Sequence, residues 1–217
     1  MTEPAAIRAI AACFPRRWDH HYAAAKLRTD PLYPAVLDAL RGSPRPLLDL
    51  GCGIGLLAFF LRAHGHGVPI HGLDYDSRKI DSANTAKTDP SWAPCTFSQN
   101  DARDGLPAHS GDVTILDILQ FFNRAERTTL LQAAAARVAT GGGVLVIRSG
   151  LRDDSLRHRI TVAGDILAKI SFWMKAAPTD YPTADEFRET LSPFGDVAIR
   201  PLWGRTPFNN HLIVLQR

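Results

Sequence analysis

The chain has 217 residues, 45% of them hydrophobic and 22% charged, with a formal net charge of +3. That balance excludes a disordered or fibrous chain and suffices for a sizeable core without covalent staples. The small charge, with "RHR" at 157–159 as the densest basic cluster, argues against a nucleic-acid binder. Cys13, Cys52 and Cys95 share no CxxC spacing, so they read as reduced thiols of a cytoplasmic protein, with neither a disulfide framework nor a metal site. Arg8 interrupts the mild apolar run at the N-terminus, against a signal peptide, and no stretch approaches the roughly 18 apolar residues of a membrane span.

In chain order, a polar and aromatic opening leads to a short helix at 34–42, stopped by Gly42. "PLLDLG" (46–51) is a short strand, and "IGLLAFFLRAHG" (54–65) has helical spacing and ends at Gly65. A strand at 69–76 precedes a helix at 77–87, with Ser77 as its expected N-cap. Strands follow at 95–101 and 112–119, the latter almost continuously apolar, as suits a strand covered on both faces. The helix at 124–140 closes on "GGG" before a strand at 144–149. This alternation predicts a parallel sheet with helices on both faces.

The last third breaks the rhythm. Residues 153–177 form a long apolar helical segment, and Thr183 with Glu186 makes a capping box for a helix at 183–191. Strands at 196–203 and 210–217 are joined by a link too short for a crossover helix, so they must pair antiparallel.

Glycines 51, 53 and 55 stand where a strand meets a helix, which lets the backbone turn sharply and a ligand lie close. Leu56 replaces the third glycine of the dinucleotide fingerprint, and no GK[ST] follows as in a P-loop. Asp49 would repel a pyrophosphate but welcome a cationic or amino-bearing ligand. Asp74, about 20 residues on, ends the second strand where an acid can accept both ribose hydroxyls. Asp101 ends the third strand, within reach of an adenine amino group, and Tyr75 offers the ring an aromatic face. Plainer roles exist for each: Asp49 as a cap of the turn, Asp74 as a strand-end residue, Cys52 as a small core side chain.

"LLDLGCGIG", "IHGLDYD", "SQNDA" and "DVTILDILQFF" resemble the successive motifs of class I S-adenosylmethionine (SAM)-dependent methyltransferases. The resemblance covers roughly residues 46–150, and the closing strand pair also fits. It implies an α/β, Rossmann-like, doubly wound sheet of seven strands, mostly parallel, whose antiparallel seventh strand lies beside the fifth. It further implies that Gly51 and Gly53 line the methionine part of SAM, Asp74 takes the ribose, and Asp101 with the Ala102 backbone takes the adenine. One domain is expected, divided into an N-terminal helical cap (1–45), a cofactor-binding core (46–150), a helical lid (151–195) and the closing strand pair (196–217). A looser resemblance, through "KLRTDPLYP" and "GLDYDSRKI", is to methyltransferases of bacterial aryl-polyene pigment pathways, and implies an aromatic acceptor, free or carrier-bound, methylated at oxygen or a ring carbon.

Ligands of open α/β sheets bind beyond the carboxyl ends of the strands. The cofactor would therefore also meet Gly55 and Asp117, and the acceptor Gln120 and Phe121. In the enzymes that the chain resembles, a basic residue of the N-terminal helix often pairs with the SAM carboxylate; the resemblance implies that role for Arg28 or Lys26 in "KLRTDP", Arg28 with the better geometry, and a surface pair with Asp30 is the alternative. Trp203 and Asn209 in the last turn, and Trp173 with Phe172 and Met174 in the lid, are further acceptor contacts, with ordinary packing as the alternative. His158, His211, Arg148 and Arg205 are catalytic candidates by position alone. "DILQ" is unlike the "NPPY" type associated with amino-group methylation. The expected reaction is methylation of a small apolar or aromatic metabolite at oxygen or carbon, by a monomer or homodimer that engages neither membrane nor nucleic acid. The rivals are an NAD-dependent oxidoreductase on a related sheet and a non-catalytic SAM-binding module.

Overall fold

A computed structural model of the chain describes residues 3–88, 90–170 and 180–217. Three helices come first, α1 (Glu3–Ala12), α2 (Arg17–Thr29) and α3 (Leu32–Ala39). Strands and helices then alternate: β1 (Leu47–Leu50), α4 (Leu56–Ala63), β2 (Ile70–Asp74), α5 (Ser77–Ala86), β3 (Cys95–Gln99), β4 (Asp112–Leu116), α6 (Arg124–Arg137) and β5 (Val144–Gly150). The chain closes with α7 (Leu156–Ile170), α8 (Ala184–Leu191), β6 (Asp196–Pro201) and β7 (Asn210–Gln216).

The seven strands form one sheet in the order β3-β2-β1-β4-β5-β7-β6. β1 pairs in parallel with β2 and β4, β2 with β3, and β4 with β5. β7 lies between β5 and β6, antiparallel to both, with Gly150 opposite Asn210 and Ser149 opposite His211. The reversal at β1 and β4, whose outward connections run to opposite edges, opens a crevice at their carboxyl ends.

The central strands are buried on both faces, which is why β1, β4 and β5 read as apolar runs. One apolar cluster packs α1 to α5 against the sheet around Phe59, which is 0% exposed and meets Phe14, Trp92 and Phe97 edge-on at centroid distances of 5.9, 5.3 and 5.7 Å. The other unites β4 and β5 with α6 and α8 through Leu130, Leu131, Phe187 and Leu191.

Several boundaries shift. The apolar run at 112–119 ends as a strand at Leu116, because Asp117 turns the chain into a short 3-10 helix, Leu119–Phe121. Asp76, not Ser77, caps α5, its carboxylate accepting from the Arg78 N–H at 3.1 Å. Thr183 and Glu186 do form the capping box of α8, and Asn123 with Glu126 forms one on α6. The expected acceptor contacts Phe172, Trp173 and Met174 lie outside the described residues.

Candidate functional site

The glycine turn after β1 is pinned to the end of β2: Gly51 and Cys52 donate to the Leu73 carbonyl at 2.7 and 2.9 Å. Gly51 has φ +77°, and a Cβ there would collide with Ile118, so the close approach of the turn to the segment after β4 requires glycine. Asp74 is 5% exposed, and its carboxylate accepts from the Gly53 N–H at 2.9 Å and from the Asp76 N–H at 2.8 Å. A carboxylate has about four lone-pair sites, so acceptor capacity is left over for a diol.

A cavity of about 450 Å³ runs along this edge of the sheet. Asp49, Gly51, Gly53, Asp74, Tyr75, Asp101 and Ala102 line one stretch of it, and Asp117, Gln120, Phe121 and Arg148 the next. Tyr75 is 39% exposed and lines the cavity with Asp74 and Asp101. Asp101 accepts from the Arg103 N–H at 3.0 Å and pairs with its guanidinium at 3.3 Å, and Arg103 itself lines the cavity. Gly55, with φ +81°, does not line the cavity. A Cβ there would lie 2.8 Å from the Phe97 ring, so this glycine serves packing under the turn.

Asp49 is 1% exposed and accepts from the Thr114 hydroxyl at 2.7 Å. Burial pushes its carboxyl up to about 7; the Thr114 hydrogen bond opposes this and the Asp74 charge adds to it. Between about pH 4 and 7 the folded chain therefore holds a proton that the unfolded chain has lost, and stability falls as pH rises through that window. Asp49→Asn removes this dependence. Thermal melts should show the variant a few degrees more stable than its parent at pH 8 and equal to it near pH 4, while its affinity for cationic SAM drops. Equal melting curves at pH 8 would contradict the assignment. Burial, with the charges of Asp49 and Asp74, also raises the Cys52 thiol well above its usual range, which disfavours the thiolate that a nucleophile needs.

Beyond the turn, α2 is tied to the ends of β4 and β5 by a cluster of two cations and two anions. Arg148 is 2% exposed and donates from Nη1 to both Asp30 oxygens at 2.6 and 2.8 Å, from Nε to Asp117 at 2.6 Å, and from Nη2 to the other Asp117 oxygen. Lys26 Nζ lies 2.8 Å from Asp30 and 3.9 Å from Asp117. Burial alone would raise the Asp30 carboxyl, but the charges of Arg148 and Lys26 outweigh it and hold it at about 2. Burial and Arg148 push Lys26 down, and Asp117, Tyr22 and Asp30 more than reverse this, so Lys26 stays protonated. Asp117 has φ +59°, the sole positive value outside glycine among the described residues. Such a conformation costs about 1–3 kcal/mol and persists only when over-determined. Here the Arg148 carbonyl accepts its N–H at 3.0 Å, its own carbonyl accepts from the Gln120 amide at 3.0 Å, and Arg148 holds its carboxylate.

The basic residue of α2 at the cavity is thus Lys26; Arg28 is exposed and away from it. Tyr22 and Lys26 line the cavity from one face of α2, as their i, i+4 spacing allows, and Tyr33 joins them from α3. That spacing was a usable signal in the sequence, as was the polar and aromatic turn that supplies Phe208 and Asn210; nothing local marks Thr161 or Tyr181, which line the cavity with them and Gly150. Arg148 lines the cavity, with its guanidinium engaged by the two carboxylates. His158, His211, Trp203, Arg205 and Asn209 do not line it. His158 sits edge-on behind Tyr181 at 5.3 Å, and Trp203 lies under the Arg157 guanidinium at 4.5 Å. Asn209 is 1% exposed and fastens the last turn to α7: its N–H donates to the Thr161 hydroxyl at 2.8 Å, and its amide to the Leu151 carbonyl and the Asp153 carboxylate at 2.9 and 2.8 Å.

Residues 47–142 match a family model described as a methyltransferase domain. That stretch of the chain is therefore a methyltransferase domain. In fold it is similar to magnesium protoporphyrin IX methyltransferase from Synechocystis PCC 6803, solved with bound S-adenosylhomocysteine (SAH), at 18% identity and TM-score 0.65 over 86% of this chain and 82% of that one. It is likewise similar to the pyocyanin biosynthetic protein PhzM, at 18% identity and TM-score 0.68 over 97% of this chain and 61% of the other. An O-methyltransferase family protein from Burkholderia thailandensis gives 19% identity and TM-score 0.66 over 98% and 63%. The chain thus spans about three fifths of the length of the latter two. No curated protein sequence matches significantly.

Proposed function

We propose that this chain transfers the methyl group of SAM to a small, largely apolar or aromatic acceptor, at oxygen or carbon. The observation that carries this reading is that one cavity is lined both by the strand-end acids, suited to a nucleoside, and by the rings of Tyr181 and Phe208 beyond them. The donor-side residues suit SAM: two glycines without Cβ atoms line the wall, Asp74 retains acceptor capacity for ribose hydroxyls, Asp101 can receive the adenine amino group, and Asp49 and Asp117 complement cationic groups. SAM supplies an already activated, electrophilic methyl group when bound.

Alignment and exclusion of water are then the main tasks of the protein. Asp117 is central to alignment, since Arg148 fixes its carboxylate where both ends of the cavity meet. α7, tied to the last turn through Asn209 and Thr161, acts as the lid over the acceptor end. No histidine among the described residues lines the cavity, so neither His158 nor His211 is placed to take a proton from an acceptor.

Calorimetric titration with SAM, SAH and NAD tests the donor half. Micromolar binding of the first two and none of the third is expected. Radiolabelled methyl transfer from SAM to a set of phenols and quinols then tests the acceptor half. Binding of NAD alone would favour the oxidoreductase, and SAM binding without transfer to any acceptor would favour the non-catalytic module.

A further inference from the structure

Among the described residues at the acceptor end, the Tyr33 hydroxyl and the Asn210 amide make no side-chain hydrogen bond, and Asn210 is the one beside Gly150. Asn210, the first residue of β7, lines the cavity half-buried, opposite Gly150 of β5, and its amide hydrogen-bonds to no described residue. Its polar neighbours are engaged. The Thr161 hydroxyl donates to the Arg157 carbonyl at 2.8 Å and accepts from the Asn209 N–H, and Asn209 is spent on Leu151 and Asp153. Gly150 makes the space: a Cβ there would lie 3.2 Å from the Thr161 methyl and 3.5 Å from the Tyr181 ring. The charges of this region cancel, since Lys26 and Arg148 are matched by Asp30 and Asp117.

Granted the methyl-transfer reading above, we propose that Asn210 selects the acceptor: a neutral aromatic molecule, lying among Phe208, Tyr181 and Gly150, with a carbonyl or hydroxyl directed at the Asn210 amide. An amide offers two donors and an acceptor, and pairs with either group. An apolar ligand would cut Asn210 off from solvent and leave the amide unpaired, so a ligand lacking the polar group is rejected. A carboxylate gains little, because the nearby cations are already matched by carboxylates.

The test uses the full chain saturated with SAH and three probes, 4′-hydroxyacetophenone, 4-ethylphenol and 4-hydroxybenzoate, titrated by NMR into the parent, Asn210→Ala and the strand-compatible Asn210→Thr. In the parent, 4′-hydroxyacetophenone should bind about five- to tenfold tighter than 4-ethylphenol, the worth of one net hydrogen bond. In the variants this ratio should fall to within about twofold, with SAH affinity unchanged. A ratio that survives both substitutions, tightest binding of 4-hydroxybenzoate, or no probe binding to the SAH-loaded protein overturns the proposal. Failure of the parent to bind SAH refutes the methyl-transfer reading instead.

Discussion

Asp74→Asn is expected to lower SAM affinity by about two orders of magnitude. Hydrogen bonds to a charged group contribute about 1.5–3 kcal/mol each, and the carboxylate retains capacity for two ribose hydroxyls after accepting from Gly53 and Asp76. Loss of the charge weakens both. The new amide NH₂ also faces one of the two backbone N–H donors, so the glycine turn loosens and the substitution acts on the cofactor twice. Calorimetry gives the affinity, and a thermal melt separates the two effects. Asp101→Ala, which leaves the turn's own hydrogen bonds intact, should lose about tenfold with little change in melting. If Asp74→Asn binds SAM within threefold of the parent, Asp74 is a turn residue and not the ribose ligand.

Arg148→Leu has the largest expected effect on stability. The substitution leaves Asp30 and Asp117 without their main partner, and Asp30 has a side chain only 8% exposed. Removing one member of a buried ion pair costs about 3–5 kcal/mol; Lys26, still 2.8 Å from Asp30, brings this to about 3 kcal/mol. For a chain of this size that is a fall of roughly 6–12 °C in melting temperature. The pH dependence identifies the cause. The Asp30 carboxyl is held at about 2, below its usual value of 3.8, so its contribution is complete above about pH 4 and disappears as pH falls towards 2. Urea denaturation should show the penalty of Arg148→Leu in full at pH 7 and much reduced at pH 3. Adding Asp30→Leu should recover part of it at pH 7, because an apolar replacement of a buried pair is often neutral. A penalty equal at both pH values would trace the effect to packing around the arginine.

Much of the donor side was legible beforehand because its residues mark the ends of strands. A carboxylate at the close of a strand pattern is visible whatever the rest of the chain does: Asp74 is the last residue of β2, and Asp101 stands two residues beyond β3. The acceptor side was legible only in part: Gln120 and Phe121 and the turn before β7 could be named, but their partners come from α2, α3 and the start of α7, segments distant in sequence. Asp117 illustrates the difficulty within one run: apolar continuity extended its strand to 119, while the left-handed backbone at Asp117, held by Arg148 31 residues away, ends it at Leu116.

The sequence by itself determined the alternation of strands and helices, the antiparallel closing pair and the three strand-end acids, because hydrophobic period, glycine and charge act over a few residues. Tertiary structure alone decided between near neighbours. Lys26 rather than Arg28 meets the cavity because two positions on a helix are about 200° apart. Asn210 rather than Asn209 does so because adjacent residues of an extended chain face opposite ways, and only pairing with β5 sets which way is inward.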